Sequence, residues 1–379
     1  MNREELFLIL STSSLGILWG ANSLATSLYL RSLGYDPLFI GTILGVGIIT
    51  GSGISVLVSI LADAYGRKKF IMINRVLSIL GIFVFGVLRV PYGYLVVNQF
   101  GGSLTTSFLA DKSRNLEKSL SLQTSISQLF VVAGNLMGGL LQFRTLYVLE
   151  MATLIVSLVL VAGVEERYET RKISLGLKSA GVVGKFAVDS LIGLGAGALL
   201  PLISLWFSLA FNVSRLLLTP LFVTSQLSLS LGTLVAPKLG EKLGKVRAIV
   251  YTHVLAIALL FLIPFSPTFL LASILYVMRN VSMNMTSPLF SSLVLQLVPR
   301  EERGRAQTLI QLMDSIPRSV GPTLGGYFLS LGVLWVPFVF TGTLYSVSTG
   351  LFYYMFKESN LPPRANPSNP PDKINNGRD

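Results

Sequence analysis

Apolar runs long enough to cross a lipid bilayer recur along the whole chain between short polar breaks, and nothing else in the sequence limits its fold as strongly. A hydrocarbon core of about 30 Å takes about 20 helical residues to cross. Spans are expected at about residues 6–30, 38–61, 70–88, 93–110, 120–141 and 145–164, and again at 182–210, 216–235, 248–265, 268–293, 306–331 and 333–356. Twelve such helices need about 240 residues, and a chain of 379 supplies them with room for loops. Only 13% of the residues are charged, against roughly 25% in a soluble domain. The chain therefore reads as an all-α membrane protein with twelve transmembrane helices. Its first run is too long for the apolar region of a signal peptide and has no small-residue cleavage site, so it is expected to be retained. The Pro- and Asn-rich segment 358–379 is expected to be a disordered cytoplasmic tail.

The formal net charge of +12 is scattered in short clusters, without the basic stripe and interleaved aromatics of a nucleic-acid face. No nucleic-acid partner is assigned. Counted on alternate sides of the twelve spans, 24 Lys and Arg share the side of the termini, while Arg31, Arg89, Arg144 and Arg215 lie opposite. That bias places both termini in the cytoplasm. The polar break at 165–181 then becomes a cytoplasmic linker between residues 1–164 and 182–357, and the cell membrane is the expected location.

Catalysis finds little support. The chain has no cysteine and one histidine, His253, which leaves no disulfide, thiolate ligand or histidine-rich metal site. The nearest approach to a P-loop, Gly240-x-x-x-Gly244-Lys245, is one residue short between its glycines and lacks the following Ser or Thr. No catalytic residue, metal or cofactor is assigned.

The chain also repeats itself. Asp63-Ala-Tyr-Gly66-Arg67-Lys68-Lys69 follows the second expected span, and Glu241-Lys-Leu-Gly244-Lys245-Val-Arg247 follows the eighth, so that acid, glycine and base recur at an offset of 178. Asn98 and Arg279 correspond at 181, and Gly134-x-x-x-Gly138-Gly139 matches Gly321-x-x-x-Gly325-Gly326 at 187. Two pseudo-symmetric six-helix halves are expected, an arrangement that many secondary transporters use to build a site between halves that rock around it.

On these residues the chain resembles the major facilitator superfamily. The loop from Asp63 to Lys69, its degenerate copy from Glu241 to Arg247, Pro299-Arg-Glu-Glu-Arg303-Gly304-Arg305-Ala306 before the eleventh span, Gly321-Pro322-Thr-Leu-Gly325-Gly326 within it, and Leu33-Gly34-Tyr-Asp-Pro37 carry the likeness. The resemblance implies the major facilitator fold and a secondary transporter working by alternating access. Proton-coupled drug exporters of the family often have Arg where this chain has Asn98, and Gly-Pro where it has Gly134-Asn135. Both features stand instead in the second half, as Arg279 and Gly321-Pro322.

Charge inside a membrane span is costly and usually faces protein or water. Gln307, Gln311, Asp314 and Arg318 share one helical face. Arg279, Ser282 and Thr286 share another, with Asn284 beside them, while Asn22, Gln128 and Asn135 supply polar positions in the first half. Asn22, Asn98, Gln128, Asn135, Arg279, Asn284, Gln311, Asp314 and Arg318 are therefore candidates for a substrate and coupling cavity. Helix–helix hydrogen bonding accounts for about half of such Ser, Thr and Asn positions. Arg279 and Asp314 stand at similar depths, so they are expected to interact in at least one state, with Arg318 competing. Asp189 is expected to pair with Lys185 one turn before it.

Asp63, Gly66, Arg67, Lys68, Glu241, Gly244 and Lys245 form a candidate conformational clasp. Gly66 can take a left-handed turn cheaply, and Asp63 can reach helix amides or the basic run. Retention of the chain in the membrane by its basic residues alone would not need Asp and Gly in both copies. The combined expectation is a monomeric transporter of a small solute, an exporter on the Gly321–Gly326 element, with protons as candidate coupling ion. The alternatives are an importer of a sugar, amino acid or organic anion, with Arg279 as anion anchor, and a non-transporting receptor or lipid-handling protein on the same fold.

Overall fold

The computed structural model describes residues 2–97, 102–113, 115–166, 179–299 and 302–357. Its regular structure is helical throughout the described residues. α1 (Arg3–Ser32) begins with Asn2, whose side chain accepts from the Glu5 amide at 2.7 Å while the Asn2 amide donates to Glu5 at 3.2 Å. This reciprocal cap satisfies two amides that the first turn leaves free. α2 (Pro37–Tyr65) starts with Asp36 as cap and Pro37 in its first turn, a position where the missing N–H costs nothing. α3 (Arg67–Ile82) runs into a wider π turn at Phe83–Val87, and a 3₁₀ segment, Pro91–Val96, precedes α4 (Gly102–Lys112). α5 (Leu116–Leu140) and α6 (Phe143–Ala162) follow.

The expected seventh span is not one smooth helix. α7 (Ala180–Lys185), α8 (Asp189–Leu199) and α9 (Ile203–Phe211) are joined by 3₁₀ turns at Phe186–Val188 and Leu200–Leu202, the second containing Pro201. α10 (Arg215–Leu243) and α11 (Lys245–Leu262) meet at Gly244. The expected tenth span is also divided, into α12 (Phe269–Asn284) and α13 (Ser287–Leu297), because Pro288 in the first turn of α13 cannot donate backward. α14 (Arg303–Ser330) stays helical through Pro317 and Pro322, and α15 (Val336–Phe356) completes the bundle. Seven helical stretches among the described residues are long and apolar enough to cross a membrane, beginning at Arg3, Pro37, Arg67, Phe143, Ala180, Arg215 and Lys245. Asn98 to Gly101 of the expected fourth span, most of the linker (167–178) and the tail lie outside the described residues.

Glycine seams set the packing. α1 lies against α5 with Gly134 over the Ile17 carbonyl, and α8 lies against α14 with Gly325 over the Ala198 carbonyl. A side chain at either glycine would overlap backbone. Backbones so close gain van der Waals contact and Cα–H···O contacts. Two further seams join α1–α6 to the later helices. Gly41 and Gly45 of α2 face the carbonyls of Pro322 and Ser319 on α14, and Gly139 of α5 faces Thr219 of α10. Arg215 donates to the Leu141 carbonyl and sits 4.0 Å over the Phe143 ring, and the Ser27 and Ser204 hydroxyls meet at 2.9 Å. All these contacts gather at the end of the bundle where α1 stops and α2 begins. Farther along the same helices Gln226 reaches Gln128, and beyond that a Cβ at Gly53 would meet nothing within 4 Å. The described contacts seal the bundle at that one end.

Candidate functional site

A cavity of about 550 Å³ opens within the later helices, bordered by α8, α11, α12, α13, α14 and α15. It runs from Gln307, near the start of α14, inward to Arg318 and Tyr345. Five of the nine cavity candidates border it: Arg279, Asn284, Gln311, Asp314 and Arg318. The others are placed elsewhere. Asn22 donates to Glu150 at 3.3 Å and accepts from Thr26 at 2.9 Å, Asn135 accepts from Ser23 at 3.2 Å, and Gln128 accepts from Gln226. Each of these contacts except Asn22–Thr26 ties one helix to another. Asn98 lies outside the described residues.

Charge in the cavity is arranged in one pair and two singles. Arg318 donates from Nε and Nη2 to the two oxygens of Asp314, both at 2.8 Å. The expected competition for Asp314 is thus decided in this state for Arg318, which is one turn away on the same helix and needs no rearrangement of its neighbours. Arg279 is 1% exposed. Its Nη2 donates to the Tyr345 hydroxyl at 3.1 Å and its guanidinium lies 5.5 Å from that ring. Its Nε and Nη1 have no hydrogen-bond partner.

Asp189 borders the cavity as well, and the expected pair with Lys185 does not form. The intervening 3₁₀ turn is the reason: it advances about 120° per residue rather than 100°, which carries Lys185 away from the face of Asp189 and out to the surface. Tyr345 and His253 also border the cavity. Tyr345 gave no sequence signal because one hydroxyl in an apolar span is indistinguishable from packing.

At the opposite end of the bundle, Gly66 and Gly244 take matching backbone angles, φ +95° with ψ 139° and φ +82° with ψ 153°. Residues with a side chain rarely enter that region, which explains glycine in both copies. Each ends one helix and opens the next. In the first copy the Arg67 and Lys68 amides donate to Glu166 at 2.6 and 3.1 Å, the Arg67 guanidinium pairs with Asp111 and reaches the Ser107 carbonyl at 3.1 Å, and Lys68 Nζ reaches the Ala162 carbonyl at 2.8 Å. In the second copy Lys245 Nζ donates to Ser292 at 2.6 Å and Glu241 is exposed. The Asp63 side chain lies outside the described residues. Asp111 and Glu166 join the first candidate clasp from outside the motif, where spacing along the chain could not point to them.

A sequence profile described as the Major Facilitator Superfamily matches residues 186–376, just over half of the chain. No sequence among the curated proteins matches. Among solved structures the chain is similar to the nucleoside transporter NupG, with 18% identity, 94% of this chain and 100% of that one covered, and a TM-score of 0.73. It is also similar to a bacterial homologue of the human lysosomal transporter Spinster in an inward-facing, occupied conformation (11%, 95% and 97%, 0.73) and to the human organic anion transporter MFSD10 (14%, 92% and 98%, 0.66). At these identities the likeness shows the fold.

Proposed function

The chain belongs to the major facilitator superfamily, and on that premise we propose that it is a secondary transporter moving a small solute across the cell membrane by alternating access. Twelve spans in two six-helix halves, 1–164 and 182–357, with 165–181 as linker and both termini cytoplasmic, are the arrangement proposed. The observation that carries it is a charged cavity in a bundle whose seams between α1–α6 and the later helices lie toward one end. With the 24 to 4 bias in Lys and Arg setting orientation, the end opposite those seams is the cytoplasmic one, and inward-open is the conformation proposed. The glycine seams are the surfaces that slide when the two ends exchange.

Protons are the proposed coupling ion, and Asp189 the proposed coupling group. The charged groups around Asp189 are Asp314 and Arg318 on α14, already paired to one another, with Tyr345 on α15 bordering the same cavity and Lys185 turned outward. Asp189 can therefore hold a proton or a cationic group, one excluding the other. Exchange of the two across the membrane gives export, the direction also suggested by the Gly321–Gly326 element.

Two measurements test the proposal. Single cysteines at Lys242 and Arg144, introduced into this cysteine-free chain, should be labelled from the cytoplasmic and outer sides respectively, and reversed labelling overturns the topology. Purified protein in liposomes should move solute with a rate that follows an imposed pH gradient. Binding without flux would identify a receptor on this fold, and flux indifferent to the gradient would remove the proton.

A further inference from the structure

Two opposite charges border the cavity without an ion-pair partner among the described residues. A guanidinium as buried as that of Arg279, with Nε and Nη1 unsatisfied, is costly to keep unless something supplies an anion. The carboxylate best placed by depth, Asp314, is held bidentately by Arg318. Asp189 borders the same cavity and has no ion pair among the described residues. Aliphatic and aromatic residues, Ile192, Met283, Ile310 and Phe290 among them, fill the lining around these charges. A simple anion would answer Arg279 and be repelled by Asp189. A simple cation would do the reverse.

The placement favours both at once. The Tyr345 ring that holds the Arg279 guanidinium packs against Gly195 of α8, at 3.1 Å from where a Cβ would stand, and Asp189 opens that same helix. Both groups border one cavity of about 550 Å³, so a small ligand that carries an anionic and a cationic group can answer the two together.

Resting on the proposed transport function, we propose that the substrate is a small zwitterion of amino-acid type, its anionic group held by Arg279 and its cationic group by Asp189. Buried polar groups left unpaired are what let a site reject an analogue lacking the matching group, so both charges on the ligand are required. The order of events follows. The ammonium displaces the proton from Asp189 on binding, and the carboxylate replaces solvent at Arg279.

Thermal shift of the intact protein in detergent tests this without any transport, so its failure is separable from failure of the transport function. The probes are the twenty amino acids, glycine betaine and γ-aminobutyrate, with propionate and propylamine as single-charge controls. At least one zwitterion should raise Tm in a saturable way while the controls at equal concentration do not. Arg279→Gln should abolish that shift and leave the Tm of the unliganded protein equal or higher, because it removes an unsatisfied buried charge. Arg279→Lys should retain a weakened shift. Asp189→Asn should weaken the zwitterion at least tenfold and admit propionate. Propionate or propylamine binding as tightly as the zwitterions, no zwitterion in the set binding, or an undiminished shift in Arg279→Gln would each overturn the proposal. A lowered Tm of unliganded Arg279→Gln with ligand binding intact would show a structural arginine and do the same.

Discussion

Arg75 in α3 and Arg279 in α12 are both buried to within 1% and both keep guanidinium nitrogens without partners, yet their surroundings differ. Arg75 donates to Ser157 at 3.0 Å, and Ser157 in turn is locked to Ser11 of α1 at 2.7 Å. Arg279 reaches one tyrosine and otherwise lies at the border of the cavity. Asn22 and Asn135 of the first helices likewise end in contacts within the protein, while Asp189 and Gln311 of the later ones border the cavity. Similar polar content is spent on cohesion in one region and on an open site in the other. Sequence repetition in this chain therefore transmits the frame, the seams and the turns, but not the site.

The seam between the two regions is where that division is most easily broken. Gly41→Leu would drive a side chain into the Pro322 carbonyl, and a clash costing about 1.4 kcal/mol already moves a two-state ratio tenfold. Flux should fall at least about tenfold, and paired spin labels at Arg31 and Trp335 should report a wider distance at the sealed end. An unchanged distance would mean that the seam does not hold this state.

Within the cavity, Asp314→Asn leaves Arg318 without its counter-charge. The pair is partly exposed to the cavity, so a loss of about 2 kcal/mol in unfolding free energy is expected, below that of a fully buried pair. A variant as stable as the parent would show that solvent in the cavity already screens Arg318.

The two turns offer the closest internal control. Gly66→Ala and Gly244→Ala should each cost about 1–3 kcal/mol for the forbidden backbone angle. Gly66→Ala should exceed its counterpart by about 1 kcal/mol, since a Cβ there would stand 2.8 Å from the Glu166 carboxylate that caps α3. Equal losses would make Glu166 dispensable. The smallest effect is expected at Asn135→Ala, about 0.6 kcal/mol for one interhelical hydrogen bond, with solute affinity unchanged. A change in affinity would instead put Asn135 in the transport path.

Much of the molecule was legible in the chain. Apolar run length and glycine with a following base at Gly66 and Gly244 are each local properties whose cause is local: the width of a bilayer and the backbone angle of a tight turn. The stripe from Gln307 to Arg318 was legible for the same reason, because helical periodicity alone puts those side chains on one face. What joined that stripe to Asp189, Arg279 and Tyr345 was not. Asp189 lost Lys185 to a 3₁₀ turn, Asp314 went to Arg318 rather than Arg279, and Tyr345 came to Arg279 from 66 residues away. Partner choice among buried charges depends on which helices pack and at what rotation, and that is a property of the assembled bundle. The sequence by itself determined where the apolar helices run and where the chain turns; the tertiary structure decided which charges remained unpaired, because only packing fixes the distances over which charges find one another.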